Sequence, residues 1–107
     1  MKTFPTLLKS IREEAGLTQI QMASVLGVST VLISMVETGK KEVSKSLIYK
    51  LSFKLGVHPS SIVPFLFIEE DFSTKKLSGP EKQLISIGDK LQDYLIKVKA
   101  KKLKSNG

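Results

Sequence analysis

Between Phe4 and Phe65 apolar side chains recur every three or four positions in short blocks, and most of the blocks stop at a glycine. Leu7, Leu8, Ile11 and Ala15 share one helical face, and Gly16 stands where a helix of that phase ends. Thr18 is a suitable N-cap for a second helix that runs to Leu26 and stops at Gly27. Ser29 caps a third, which ends around Thr38-Gly39. Ser44 opens a fourth, where Leu47, Ile48, Leu51 and Leu55 form one stripe before Gly56. A fifth begins at Pro59, a favoured first-turn residue, and carries Ile62 and Val63. Strand-like alternation is nearly absent. The pattern predicts an all-α domain over residues 1–64 with a core of about 12–15 apolar side chains, near the lower end of what folds alone.

Beyond it the pattern changes. Phe65-Leu-Phe-Ile68 is a short apolar run, followed by acidic Glu69-Glu-Asp71 and polar Ser73-Thr-Lys-Lys76. Residues 65–78 read as a connector, and four residues do not decide between a strand and a helical extension for 65–68. Ser78-Gly-Pro-Glu81 has capping-box form and opens a C-terminal helix in 79–107. Its stripe is Leu84, Ile87, Leu91, Tyr94, Leu95 and Val98, with sevenfold spacings at 84/91/98 and 87/94. That stripe either folds back on its own domain or pairs with another chain. A single helix after a polar connector favours pairing, so these six residues are the expected dimerisation face. Five lysines between Lys97 and Lys104 read as a solvated helix end.

The run from Leu17 to Lys40 is the most informative. It reads as two short helices around Gly27, with Ala23 facing inward from the first and Ile33 and Val36 from the second. A helix pair of this shape presents its second helix to the major groove of DNA. In order, the chain carries Ile11-Arg-Glu-Glu-Ala-Gly-Leu-Thr-Gln19, Ala23, Leu26-Gly-Val-Ser29, Ile33, Glu37-Thr-Gly-Lys40 and Leu55-Gly-Val57. Through these markers it resembles the XRE family of helix-turn-helix regulators, which includes the lambdoid phage repressors and Cro. The resemblance implies a five-helix lambda-repressor-like DNA-binding domain, here with an additional C-terminal helix.

The resemblance also implies roles. Arg12 and Glu37 match positions that form an ion pair between the first helix and the end of the third. Gln19, Thr38, Lys40 and Lys41 match phosphate contacts, and Ser44, at the start of the next helix, joins them. Such contacts supply affinity and salt dependence rather than sequence preference. Thr30, Val31, Ser34 and Met35 stand where the family reads bases, and here the pattern departs from it. The usual Gln, Asn, Arg or Lys is missing, and with it the bidentate pairings to A and G. Direct readout is therefore expected to be modest, leaning on thymine methyl groups and DNA shape.

Charge fits a polyanionic partner: 17 Lys+Arg against 10 Asp+Glu give +7 over 107 residues. With no cysteine and one histidine, His58, a thiolate or histidine metal site is not expected. Glu13-Glu14 and Glu69-Glu-Asp71 read as exposed charge. No nucleophile motif or phosphate-cradling loop is present, so neither an enzyme nor a cofactor is expected. Nor does any stretch reach the length and apolarity of a membrane span or a signal peptide, which makes a cytoplasmic protein the expectation. These readings converge on a dimeric repressor of a palindromic operator in double-stranded DNA. Its dimer would form through residues 80–100, or through the fifth helix and Phe65–Ile68. The alternative is an antitoxin-like protein, or one bound by an antagonist, using the C-terminal helix.

Overall fold

The computed structural model describes residues 2–67 and 79–105, with the side chains of 67, 79–86 and 105 outside the description. The described residues form six α-helices and three tighter or wider helical turns, without strands. In chain order the helices are α1 (Phe4–Glu14), α2 (Gln19–Leu26), α3 (Thr30–Glu37), α4 (Lys45–Leu55), α5 (Gly79–Tyr94) and α6 (Lys101–Ser105). The predicted all-α class and the first four helices are as expected.

Local chemistry explains the helix boundaries. Thr18 accepts the Gln21 N–H while the Gln21 side chain accepts the Thr18 N–H, a reciprocal capping box that starts α2. Ser29 and Ser44 accept the N–H groups of Leu32 and Leu47 at the starts of α3 and α4. The end of α3 shows why a glycine is needed. Gly39 has φ 75°, its N–H bonds the Val36 carbonyl, and the Lys40 N–H reaches back to Met35. This paired closure requires a left-handed residue, which a side chain resists.

The expected fifth helix is instead two 3-10 turns, Pro59–Ser61 and Val63–Phe67. Pro64 is the reason: it lacks an N–H, and its ring clashes with the preceding turn of any α-helix begun at Pro59. Ile62 is buried as expected, whereas Val63 is partly exposed. Phe65, assigned from sequence to the connector, is fully buried in the domain core.

The core gathers Leu7, Leu8 and Ile11 of α1, Met22, Ala23 and Leu26 of α2, Ile33 and Val36 of α3, and Leu47, Leu51 and Leu55 of α4. Leu95, Ala100 and Leu103 from the C-terminal region join it, each with no exposed surface. This corrects the reading of Leu95 as part of a dimerisation face: its side chain belongs to its own domain. The change of phase has a visible cause. Leu95–Lys99 is a π-helical turn, closed by the Ala100 N–H on the Leu95 carbonyl, and it rewinds the helix after Tyr94. Leu91 is half-buried beside Leu95, while Ile87, Tyr94 and Val98 face outward at 61%, 44% and 55% exposure. The side chain of Leu84 lies outside the described residues.

Polar contacts fasten the same region. The Lys2 N–H donates to Gln92 Oε1 at 2.7 Å. The Lys102 ammonium lies over the end of α4, so close to Gly56 that a Cβ there would meet it at 2.9 Å. A cation at that point also suits the negative end of the α4 dipole.

Arg12 and Glu37 form the expected pair. Arg12 Nε and Nη2 donate to Glu37 Oε2 and Oε1 at 2.8 and 3.1 Å, and Nη1 donates to the Leu17 carbonyl at 2.9 Å. The two side chains are 12% and 2% exposed. The hydrogen bond to Glu37 raises the Arg12 pKa most; the charges of Glu37 and Glu13 add to it, and desolvation opposes it. A raised pKa on a base contributes stability that is complete below its unfolded value and is lost only as pH rises through the folded one. The Arg12 contribution is therefore constant throughout the neutral range.

Two predictions follow from this packing. Leu103→Ala is expected to destabilise the domain by about 2–5 kcal/mol in urea unfolding, against less than about 0.5 kcal/mol for Phe53→Ala on the exposed face of α4. Equal costs would show that the C-terminal region does not share the core. Arg12→Ala, which strands the buried Glu37 carboxylate, is expected to cost about 3 kcal/mol. A double-mutant cycle with Glu37→Ala checks whether that loss is shared by the pair.

Candidate nucleic-acid interface

The chain bends by 112° between α2 and α3, within the range of a DNA-reading helix pair. Ala23 sits between the two helices, nearly fully buried, so their backbones approach closely. Ile33 and Val36, at 0% and 1% exposure, fix the inner side of α3. The outer side then follows from helical geometry. Val31 is 67% exposed and Met35 36%, while Thr30 and Ser34 are half-buried between them and the core. The four expected base-reading residues thus lie on one helix in the order the sequence implied, and the two most exposed of them are apolar.

Around this helix stand the expected phosphate residues. Gln19 opens α2, and its Nε2 donates to Glu37 Oε1 at 3.2 Å. That bond sets the amide orientation and ties the start of α2 to the end of α3. Because the capping box occupies the Gln21 N–H, the Gln19 and Ile20 N–H groups remain at the helix tip, a suitable seat for an anion. Lys40 and Lys41 are exposed, and both backbone N–H groups bond the Met35 carbonyl at 2.8 and 3.2 Å. Their backbone is therefore rigidly continuous with α3. Ser44 is exposed and accepts from Leu47, which leaves its hydroxyl proton for an outside acceptor.

Thr38 is placed differently. Its hydroxyl donates to the Ser34 carbonyl at 2.9 Å, closing the last turn of α3. Donation to a phosphate would require breaking that bond, so its evident work is at the helix end.

One residue escaped the sequence reading. Ile20 is 68% exposed in the first turn of α2, beside Gln19. The signal was available: Met22, Ala23 and Leu26 define the buried face of α2, and Ile20 falls off it. Tyr49 and Phe53 are likewise exposed, one turn apart on α4. Among the described residues no group of three or more His, Cys, Asp or Glu side chains is arranged to hold a metal. No single described helix is long and apolar enough to cross a membrane.

A sequence model of the helix-turn-helix family matches residues 8–62, just over half of the chain. No curated protein and no solved structure matches it. The matched segment runs from α1 through α4 to Ile62 and contains the Arg12–Glu37 pair, both helices of the turn and the lysine loop. The chain belongs to the XRE family of helix-turn-helix DNA-binding transcriptional regulators.

Proposed function

We propose that this protein is a dimeric repressor, acting in the cytoplasm, that reads a short palindromic site in double-stranded DNA through α3. The observation that carries this reading is the joint placement of Gln19, Lys40, Lys41 and Ser44 around a helix whose outward side chains are Thr30, Val31, Ser34 and Met35. Backbone-gripping groups flank a reading helix, and the net charge of +7 strengthens the encounter with DNA.

The chemistry of the reading face sets the kind of site. Val31 and Met35 offer only apolar contact, so thymine methyl groups in the major groove are their natural targets. Thr30 and Ser34 add short hydroxyl contacts with little discrimination. The remaining specificity comes from A·T-rich shape and deformability.

Dimerisation rests on Ile87, Tyr94 and Val98. They keep the spacing of seven and four along the outer side of the C-terminal helix, while Leu91 and Leu95 turn inward. Lys99 covers part of this surface, its ammonium 5.4 Å from the centre of the Tyr94 ring. The same three residues would serve an antagonist or toxin, but a second copy needs no further component.

Selection of bound duplexes from a random pool is expected to return A·T-rich inverted repeats with half-sites about one helical turn apart. Asymmetric or G·C-rich sites would overturn the reading. Lys40→Glu with Lys41→Glu is expected to weaken binding at least about 100-fold and to reduce the salt slope by about two. Ile87→Glu with Val98→Glu is expected to leave a folded monomer in analytical ultracentrifugation; an intact dimer would place the interface elsewhere.

A further inference from the structure

A cleft of about 390 Å³ lies beneath the loop that carries Lys40 and Lys41. Its walls come from three separate elements: Phe4 and Pro5 at the start of α1, Val36 and Val43 at either end of the α3–α4 loop, and Phe65 and Leu66 in the second 3-10 turn. Its rim carries Lys41 and Glu42, and Gly39 leaves the adjoining wall bare, with nothing within 4 Å of where a Cβ would stand. The size is that of a small-ligand site, and the lining combines an apolar interior with a sizeable polar share at the mouth.

We propose that this cleft binds a small hydrophobic monoanion, an aromatic or medium-chain aliphatic carboxylate or sulfonate, and that such a ligand weakens DNA binding. The apolar body fits against Phe4, Pro5, Val43 and Leu66, and the anionic head meets the Lys41 ammonium. Glu42 on the same rim disfavours a polyanion. Two features couple this site to the recognition helix. Val36 is both a wall of the cleft and the last core anchor of α3. The Lys41 N–H is bonded to the Met35 carbonyl, so a displaced loop is felt within α3. The Lys41 ammonium cannot serve a bound carboxylate and a DNA phosphate at once. The coupling, though not the binding, rests on reading Lys41 as a phosphate contact.

The test uses the full chain and the fluorescent probe 1-anilinonaphthalene-8-sulfonate, displaced by decanoate. One saturable site per chain is expected. Val43→Trp, which fills the cleft, is expected to weaken probe binding about tenfold or more, and Lys41→Gln severalfold. Phe53→Ser, which removes the 81%-exposed ring on α4, is expected to leave it unchanged. Circular dichroism confirms that each variant is folded. Saturating decanoate is expected to lower affinity for a selected duplex, and the duplex to lower decanoate affinity by the same factor. Absence of a saturable site, or a site that survives both cleft variants, overturns the proposal. Cleft binding that leaves DNA affinity unmoved overturns the coupling. Undiminished DNA binding by the Lys40→Glu, Lys41→Glu protein rejects instead the interface reading, through a separate measurement.

Discussion

The Glu37 carboxylate is the point on which the reading head depends. It receives two bonds from Arg12 and one from Gln19, and Arg12 holds the Leu17 carbonyl as well. Four places in the chain therefore meet within one cluster: the last turn of α1, the loop after it, the first turn of α2 and the last turn of α3. Apolar packing presses α3 against the domain through Ile33 and Val36 but is weakly directional. The forked guanidinium supplies the direction, because its planar donors accept a carboxylate in only a few orientations. Its value lies less in net stability than in precision, since a buried pair gains little over a well-packed apolar one. A displacement of α3 by an ångström would shift its outward side chains, Val31 and Met35, while leaving the domain folded.

The C-terminal region changes what the compact domain is. Leu95, Ala100 and Leu103 complete the core against α1, α2 and α4, and the π turn aligns the last two with Leu95. A regular helix of 3.6 residues per turn carries its apolar side chains on one continuous face. By widening one turn, the chain brings Ala100 and Leu103 round to the inward side already taken by Leu95, while Val98 stays outside. The proposed association surface is thereby joined to the core of the helix-turn-helix domain through Leu95.

What the sequence made legible follows from the range of each interaction. The beginnings and ends of α1 to α4 were readable because caps and left-handed glycines act over a few residues, as with Thr18, Ser44 and Gly39. The Arg12–Glu37 pair spans 25 positions, and only the family resemblance pointed to it. Phe65 and Leu95 were assigned outward roles because burial at those positions depends on a distant partner. The 3-10 turns after Pro59 were a different kind of miss: Pro64 carried the signal within the segment itself. Ile20 likewise betrayed its exposure by falling off the α2 stripe.

On the proposed interface, the placement of polar and apolar groups would divide the work of binding unequally. The hydrogen-bonding strength sits at the margins, in Gln19, Lys40, Lys41 and Ser44, whereas the centre of α3 presents Val31 and Met35. Marginal charge gives affinity to any duplex and falls steeply with salt. Central apolar contact adds modest discrimination and is nearly insensitive to salt. Specificity should therefore rise as salt increases, until affinity itself fails. The proposed dimer would supply two reading heads at fixed spacing, because one apolar helix alone distinguishes too few bases. On that proposal the junction at Leu95 and the clamp at Glu37 serve a common end, since each would hold one part of a geometry that supplies the selectivity the side chains of α3 lack.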